Sequence, residues 1–278
     1  MAEESETLQK PKETLARFSL LDVELTGVRI EHAVEKILSF TSDGKKHSIS
    51  IFAVDSLLRC RDTPRLAEVA NATDMTLCDG MPLVFVGRKF AKLDMNRCYG
   101  PDVMLKTLEA GCEKGLKHFF YGGDCEATIT KLAGNLKAKF PTLQIAGHYV
   151  PPFRDLTSEE RDHVIALINE SKADVVWVGI GTPRQDYWVS EYREPLNAPV
   201  LIAVGAAFNF HAGTVPQAPR WMMRCGLEWL FRLGAEPRRL WKRYLIGNPR
   251  FILLVIKQGL TRKPHALGAV RRTSSWNS

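Results

Sequence analysis

The sequence predicts an α/β protein, a parallel sheet with helices packed on both faces, followed by a basic helical appendage. Two observations carry the first part. Short β-rich runs recur along the chain, and amphipathic stretches of helical period separate them; strand, helix, strand at this spacing is the pattern of a parallel sheet. A third observation carries the appendage: after Gly213 the strand pattern stops, the chain turns helical, and the charge changes sign.

In chain order the strand runs are His47 to Val54, Met75 to Cys78, His118 to Tyr121, Leu143 to Ala146, Asp174 to Ile180 and Val200 to Val204. Apolar, β-branched and aromatic residues dominate them, as a buried pleated strand requires. Between them, Val103 to Lys114, Glu126 to Phe140 and Thr157 to Ser171 repeat apolar side chains at helical spacing. The last has a clear start, since Leu156-Thr157-Ser158-Glu159-Glu160 supplies a hydroxyl cap for free amides and acids that suit the helix dipole. Beyond Gly213, Ala235-Glu236-Pro237 and Gly247-Asn248-Pro249 read as breaks between three helices. The expected organisation is a core over residues 18–219, an appendage over 220–262, and solvated tails over 1–17 and 263–278.

With 278 residues and 45% hydrophobic content, the chain can bury a real core as one large or two small domains. From Arg220 to Ser278 thirteen cations stand against two glutamates, a balance of +11, so the whole-chain charge of +7 leaves −4 for residues 1–219. Aromatic rings interleave with those cations, at Trp221, Trp229, Trp241 and Tyr244. Cations for phosphate and indoles for an oil–water boundary suit an anionic surface. The plainer alternative is a solvated helix face with its tryptophans packed inward. The longest apolar run in this basic segment, Phe251 to Ile256, is six residues, against about 20 needed to cross a bilayer. The start, Met1-Ala2-Glu3-Glu4-Ser5-Glu6, does not read as a secretory signal and offers no myristoylation glycine, so the cytosol is the expected home. Six scattered cysteines without a Cys-x-x-Cys, and no histidine pair at metal-ligand spacing, point to buried reduced thiols and to no metal or cofactor.

In open parallel sheets ligands bind beyond the carboxyl ends of the strands, so the loops there are the informative ones. Asp79 follows a β run and precedes Gly80, where a carboxylate projects from the sheet rim as a general base would; the alternative is that it caps the next helix. In Gly179-Ile-Gly-Thr-Pro-Arg-Gln-Asp186, Gly179 and Gly181 let backbone amides approach a phosphate ahead of a helix amino end, or simply make a tight turn. The third glycine of a dinucleotide fingerprint is replaced by Arg184, which argues against a nicotinamide site. No Asp-x-Asp occurs, so a departing nucleotide diphosphate would need cationic side chains or helix ends instead.

Five ordered stretches then resemble the WecG/TagA/CpsF family of bacterial glycosyltransferases over about residues 18 to 255: Leu77 to Val84, Arg97 to Asp102, Val178 to Asp186, Val204 to Gly213, and Ala218 to Trp221 running on through Gly226 to Leu233 and Glu236 to Tyr244. The resemblance implies a Rossmann-like, inverting, metal-independent enzyme that moves a sugar from a UDP-sugar to a polyprenyl-diphosphate-linked sugar at the inner face of the cell membrane. It implies that Asp79 is the catalytic base and that Arg97 lies near the phosphates or acceptor. It also implies that Gln185 and its loop hold the nucleotide sugar, and that Asn209 helps hold the nucleoside. The resemblance implies, too, that Arg220, Arg232, Arg238, Arg239 and Arg243 fall in a segment that closes over the site and grips the lipid diphosphate. Departures from the family pattern stand at Ala53-Val54-Asp55, at Phe208-Asn209-Phe210 and at Gln217, and Asp55 becomes a candidate to share the acid/base work. The Asp-Gly-Met-Pro variant resembles the exopolysaccharide and enterobacterial-antigen branch.

The competing expectation from another class is a binding module for anionic lipid or nucleic acid that keeps the scaffold without turnover. Single strands also favour cations and rings, but the mildly acidic remainder of the chain argues against a nucleic-acid partner. The sequence leaves the sugars and the oligomeric state open, a homo-oligomer included.

Overall fold

The computed structural model describes residues 15–261 and 270–272. Among them, nine strands form one sheet: β1 (Ala16–Leu20), β2 (Val23–Thr26), β3 (His47–Phe52), β4 (Met75–Cys78), β5 (Lys117–Gly122), β6 (Gln144–Tyr149), β7 (Val175–Gly179), β8 (Val200–Ala203) and β9 (Val270–Arg272). Their order is β6-β5-β7-β8-β3-β4-β2-β1-β9. Every pairing from β6 to β2 is parallel, while β1 runs antiparallel to β2 and to β9. The six runs read from sequence are β3 to β8, and the α/β class holds.

Strands β1, β2 and β9 are additions to that reading, and they correct the tail boundaries. Ala16 and Arg17 belong to β1, and Val270–Arg272 pair with it; residues 1–14, 263–269 and 273–278 of the two expected tails lie outside the described residues. The hairpin from β1 to β2 turns on Leu21 and Asp22, with φ of 51° and 67°. Two consecutive left-handed residues make the mirror-image turn that matches strand twist, usually written Asn-Gly. Leu-Asp carries no such signature, and its support comes from far away, since Leu21 N donates to Gln258 Oε1 at 3.0 Å.

Side chains of β3 divide the two faces. Ile49 and Ile51 join a core with helices Ile30–Phe40, Gly100–Glu113, Glu126–Lys139 and Ala207–Ala212. Phe52 faces the opposite layer, which holds helices Val54–Asp62 and Pro64–Ala72. Helices Ser158–Ser171 and Arg184–Tyr192 complete that layer over β5, β7 and β8. Trp177, Phe119 and Phe120 are wholly buried between the layers, each contributing about 2–3 kcal/mol by apolar burial. Trp177 donates to His118 Nδ1 at 3.2 Å, and burial pushes the His118 pKa down to about 4, so the ring is neutral and can accept. The helix after β3 and the helix after β8 lie on opposite faces although the strands are neighbours. That divergence opens a crevice at the carboxyl rim, the usual ligand position in such sheets.

The appendage comprises helices Arg220–Arg224, Glu228–Ala235 and Pro237–Trp241, a π-helical turn Lys242–Ile246, and helix Gly247–Thr261. The expected break at Glu236 is present. The one at Gly247-Asn248-Pro249 is not, and the chain runs helically through it. Pro249 has no N–H to donate, and the widened π turn just before it absorbs the misfit. Leu240, Tyr244 and Phe251 are buried, whereas Trp221 and Trp241 are 61% and 43% exposed, so these two tryptophans do not pack inward. Cys60, Cys78 and Cys98 are buried free thiols as expected, but Cys125 and Cys225 are exposed, which corrects the uniform expectation. No described helix is long and apolar enough to cross a membrane.

Candidate active site

The loops named from sequence follow β3, β4, β7 and β8, and parallel pairing brings all four, with the Gly122-Gly123-Asp124 loop after β5, to one rim of the sheet. Asp79 comes directly after β4, with its N–H donating to Phe52 O at 2.8 Å. Gly80 takes the cap position of helix Met81–Lys89 and no side chain caps it, so the carboxylate of Asp79 is not a helix cap. It is held by Arg97. That arginine arrives on an extended segment registered against β4 by Cys98 N donating to Cys78 O at 2.9 Å. Its Nε and Nη2 donate to Asp79 Oδ1 at 2.9 and 2.7 Å, and Nε also reaches the Asp79 carbonyl.

The same Nη2 lies 2.6 Å from Glu228 Oε2, and the guanidinium sits 4.3 Å above the centre of the Tyr99 ring. All three charged side chains are largely withdrawn from water. Burial works against the charge on Arg97, but Asp79 and Glu228 outweigh it and hold the guanidinium pKa above its ordinary value. The Tyr99 phenol is pushed up by burial, then by Glu228 and Asp79, and stays neutral, its oxygen accepting from Gln217 Nε2 at 3.4 Å. The Arg97 contacts fall on one carboxylate oxygen, leaving Oδ2 of Asp79 without a donor among the described residues. A carboxylate fixed by one oxygen and open at the other can accept a proton from an approaching hydroxyl.

Other expected residues divide between backbone support and contact with the appendage. Gly80 packs beside Val54 N, 3.5 Å from where its Cβ would stand. Asp55, one residue on, pairs with Arg59 Nε at 2.9 Å and Arg243 Nε at 3.8 Å, so its carboxylate engages the appendage. A Cβ on Gly179 would meet the Phe208 ring at 2.8 Å, and one on Gly122 would meet Gly179 O at 2.5 Å, so both glycines permit close backbone approach. Gly181, with φ of 79°, faces open space. Gln185 is buried; its Oε1 accepts from Gly205 N at 2.9 Å and its Nε2 donates to Thr182 Oγ1 at 3.3 Å. It therefore braces the β7 and β8 loops against each other. Asn209 donates to Asp124, joining the β8 loop to the Gly-Gly-Asp loop after β5.

The appendage is docked over this rim at several points. Arg220 grips Asp102 with two nitrogens, at 2.8 and 3.1 Å, Arg232 lies 5.5 Å from the Phe210 ring, and Arg243 reaches Asp55. Arg239 pairs with Glu236 inside the appendage, and Arg238 is exposed with no carboxylate partner among the described residues. Sequence reasoning gave no role to Glu228, Tyr99, Asp102 or Asp124. For Glu228 a signal existed, since it is one of two acids among thirteen cations. A cavity of about 430 Å³ lies beside the same β7 loop, lined by Tyr121, Arg154, Arg161, Arg184, Trp188 and Tyr192 among others, and Asp79 and Arg97 are not part of its wall.

An open parallel sheet whose rim presents one oriented carboxylate beneath an arginine-rich appendage can serve acid/base chemistry on a phosphate-bearing substrate. The chain belongs to the glycosyl transferase WecG/TagA/CpsF family, whose model matches residues 18–265. It is 30% identical over 212 residues to an N-acetylglucosaminyldiphosphoundecaprenol N-acetyl-beta-D-mannosaminyltransferase of Bacillus spizizenii, covering 76% of this chain and 79% of that protein. It is also 30% identical over 196 residues to the protein of the same name from Bacillus subtilis, covering 70% and 73%. The chain is thus a glycosyltransferase by family, as its motifs imply.

Proposed function

We propose that this protein transfers an N-acetylhexosamine-type sugar, with inversion and without a metal, from a UDP-sugar to a polyprenyl-diphosphate-linked sugar in cell-surface polysaccharide synthesis. The relatives' names support the lipid-linked acceptor. The observation that carries the reading is the Asp79 carboxylate, oriented by Arg97 at the sheet rim beneath the helix that bears Glu228. In the step proposed, an acceptor hydroxyl attacks the anomeric carbon as its proton passes to Asp79. The bond from that carbon to the β-phosphate oxygen breaks, and its electron pair leaves with UDP.

One displacement needs one base and a stabilised leaving group. The cations of the appendage supply the second, which agrees with a sequence lacking Asp-x-Asp. The acceptor is anchored in lipid, and the exposed Trp221 and Trp241 beside Arg238 and Arg239 suit a peripheral seat on the anionic inner face of the membrane.

The purified protein, given UDP-sugars in turn with a polyprenyl-diphosphate sugar, is expected to release UDP from one of them. Asp79→Asn should lower turnover by about 10²-fold or more with an unchanged melting temperature. Full activity in that variant would remove Asp79 from the role.

A further inference from the structure

Resting on the peripheral seat just described, we propose that helix Met81–Lys89 is a second bilayer contact, outside residues 220–262, that sets Asp79 at the height of anionic lipid headgroups. The segment from Gly80 to Leu93 holds Arg88, Lys89 and Lys92 and no acid. Its helix is anchored by one face: Leu83, Val84, Val86 and Gly87 are buried, and Gly87 packs so closely on Met95 that a Cβ there would stand 2.3 Å from Met95 Sδ. Met81, Phe85 and Lys89 recur every four residues and so share one stripe on the helix surface. Phe85 is 59% exposed and Phe90, just past the helix end, 46%. The ammonium of Lys89 lies 5.4 and 5.9 Å from the two ring centres.

Exposed rings beside cations form an interfacial pattern, because the rings seat among headgroups while the cations meet anionic lipid. The stripe is continuous with the appendage. Met81 Cβ lies 3.5 Å from where a Cβ on Gly226 would stand, at the turn that separates helix Arg220–Arg224, with exposed Trp221, from helix Glu228–Ala235. Asp79 precedes this helix by two residues, so a bilayer held along the stripe holds the proposed base next to the lipid diphosphate.

The test is co-sedimentation of the full chain with phosphatidylcholine vesicles, with and without phosphatidylglycerol. Phe85→Ser with Lys89→Glu, and Lys89→Glu alone, are compared with Arg238→Glu and Arg239→Glu together. The double variant is expected to partition about tenfold less onto anionic vesicles. It should show a higher KM for vesicle-embedded acceptor and an unchanged kcat on a water-soluble short-chain acceptor; Lys89→Glu alone should show a smaller change in the same direction. Partitioning equal to the parent, while the Arg238/Arg239 variant loses it, overturns this inference and leaves the appendage reading standing. A full chain that ignores anionic vesicles overturns both. A change in sedimenting mass of the Phe85 variant without a change in vesicle binding would make the stripe a contact between copies of the chain, and overturns the inference as well.

Discussion

Arg97 is the residue on which the site turns, because one guanidinium holds two carboxylates from different parts of the chain. A buried pair broken by removal of one member leaves an uncompensated charge, and here removal would leave Asp79 and Glu228 both without their common counterion. Asp186 shows the opposite situation one helix away. Its carboxyl is buried, receives a hydrogen bond from Ser50 Oγ at 3.1 Å, and burial lifts its pKa to about 6 against partial relief from Ser50 and Thr182. A folded pKa above the unfolded value means that the native state binds more protons between pH 4 and 6, so this group's contribution falls as pH rises through that window and is level above it. Relative to Asp186→Asn, the parent should lose about 2–3 kcal/mol of stability from pH 4 to 7, read from urea midpoints at several pH values. A difference that stays flat across the window would show that the carboxyl titrates in the native state as it does in the unfolded chain.

At the scale of elements, what was legible in the sequence is what depends on local pattern. The start at Thr157 is a complete capping box, with Glu160 N donating to Thr157 Oγ1 at 3.2 Å and Thr157 N donating to Glu160 Oε2 at 2.9 Å. Strands β4, β5, β7 and β8 announce themselves because burial on both faces makes them short, mostly apolar runs, whereas β3 alternates serines with isoleucines and the edge strand β6 is only partly covered. The β1 to β2 hairpin was hidden because its turn is stabilised by Gln258, a partner 237 positions away. The site divides similarly. Asp79 and the glycines are readable from their place after strands, whereas the pairing of Arg97 with Glu228 depends on how the appendage docks and leaves only a compositional trace. That docking is testable. Helix Glu228–Ala235 meets the core through buried Glu228, through Phe231 packed against the Tyr99, Ala218 and Met223 cluster, and through Arg232 beside the Phe210 ring. Of these the Glu228 ion pair is the charged anchor, so Glu228→Ala should loosen the helix, raising the rate of limited proteolysis near Arg224 severalfold while the core melts as before. Unchanged cleavage would mean that Arg220, Arg243 and Arg250 hold the appendage without it.

For the whole molecule, the division between a core of about −4 and a segment of +11 has a mechanical consequence. Contacts through Arg220–Asp102, Arg243–Asp55, Arg250–Asp62 and buried Phe251 hold the appendage on the core, while Arg224, Arg238 and Lys242 are exposed and available to an anionic surface. A chain ending at residue 219 should therefore lose both vesicle binding and turnover of lipid-linked acceptor, and should expose the apolar surface around Leu57 and Leu58 that Phe251, Leu254 and Val255 cover. Salt separates the two kinds of force in the intact protein. Raising ionic strength from about 0.1 M to 1 M shortens the screening length from about 10 Å to about 3 Å, so binding to anionic vesicles should weaken severalfold while the Phe251 contact persists. Vesicle flotation across that range, with the melting temperature followed in parallel, gives both readings. Binding indifferent to salt, or a truncated chain that still floats with anionic vesicles, would show that the basic segment is not what holds this protein at a membrane.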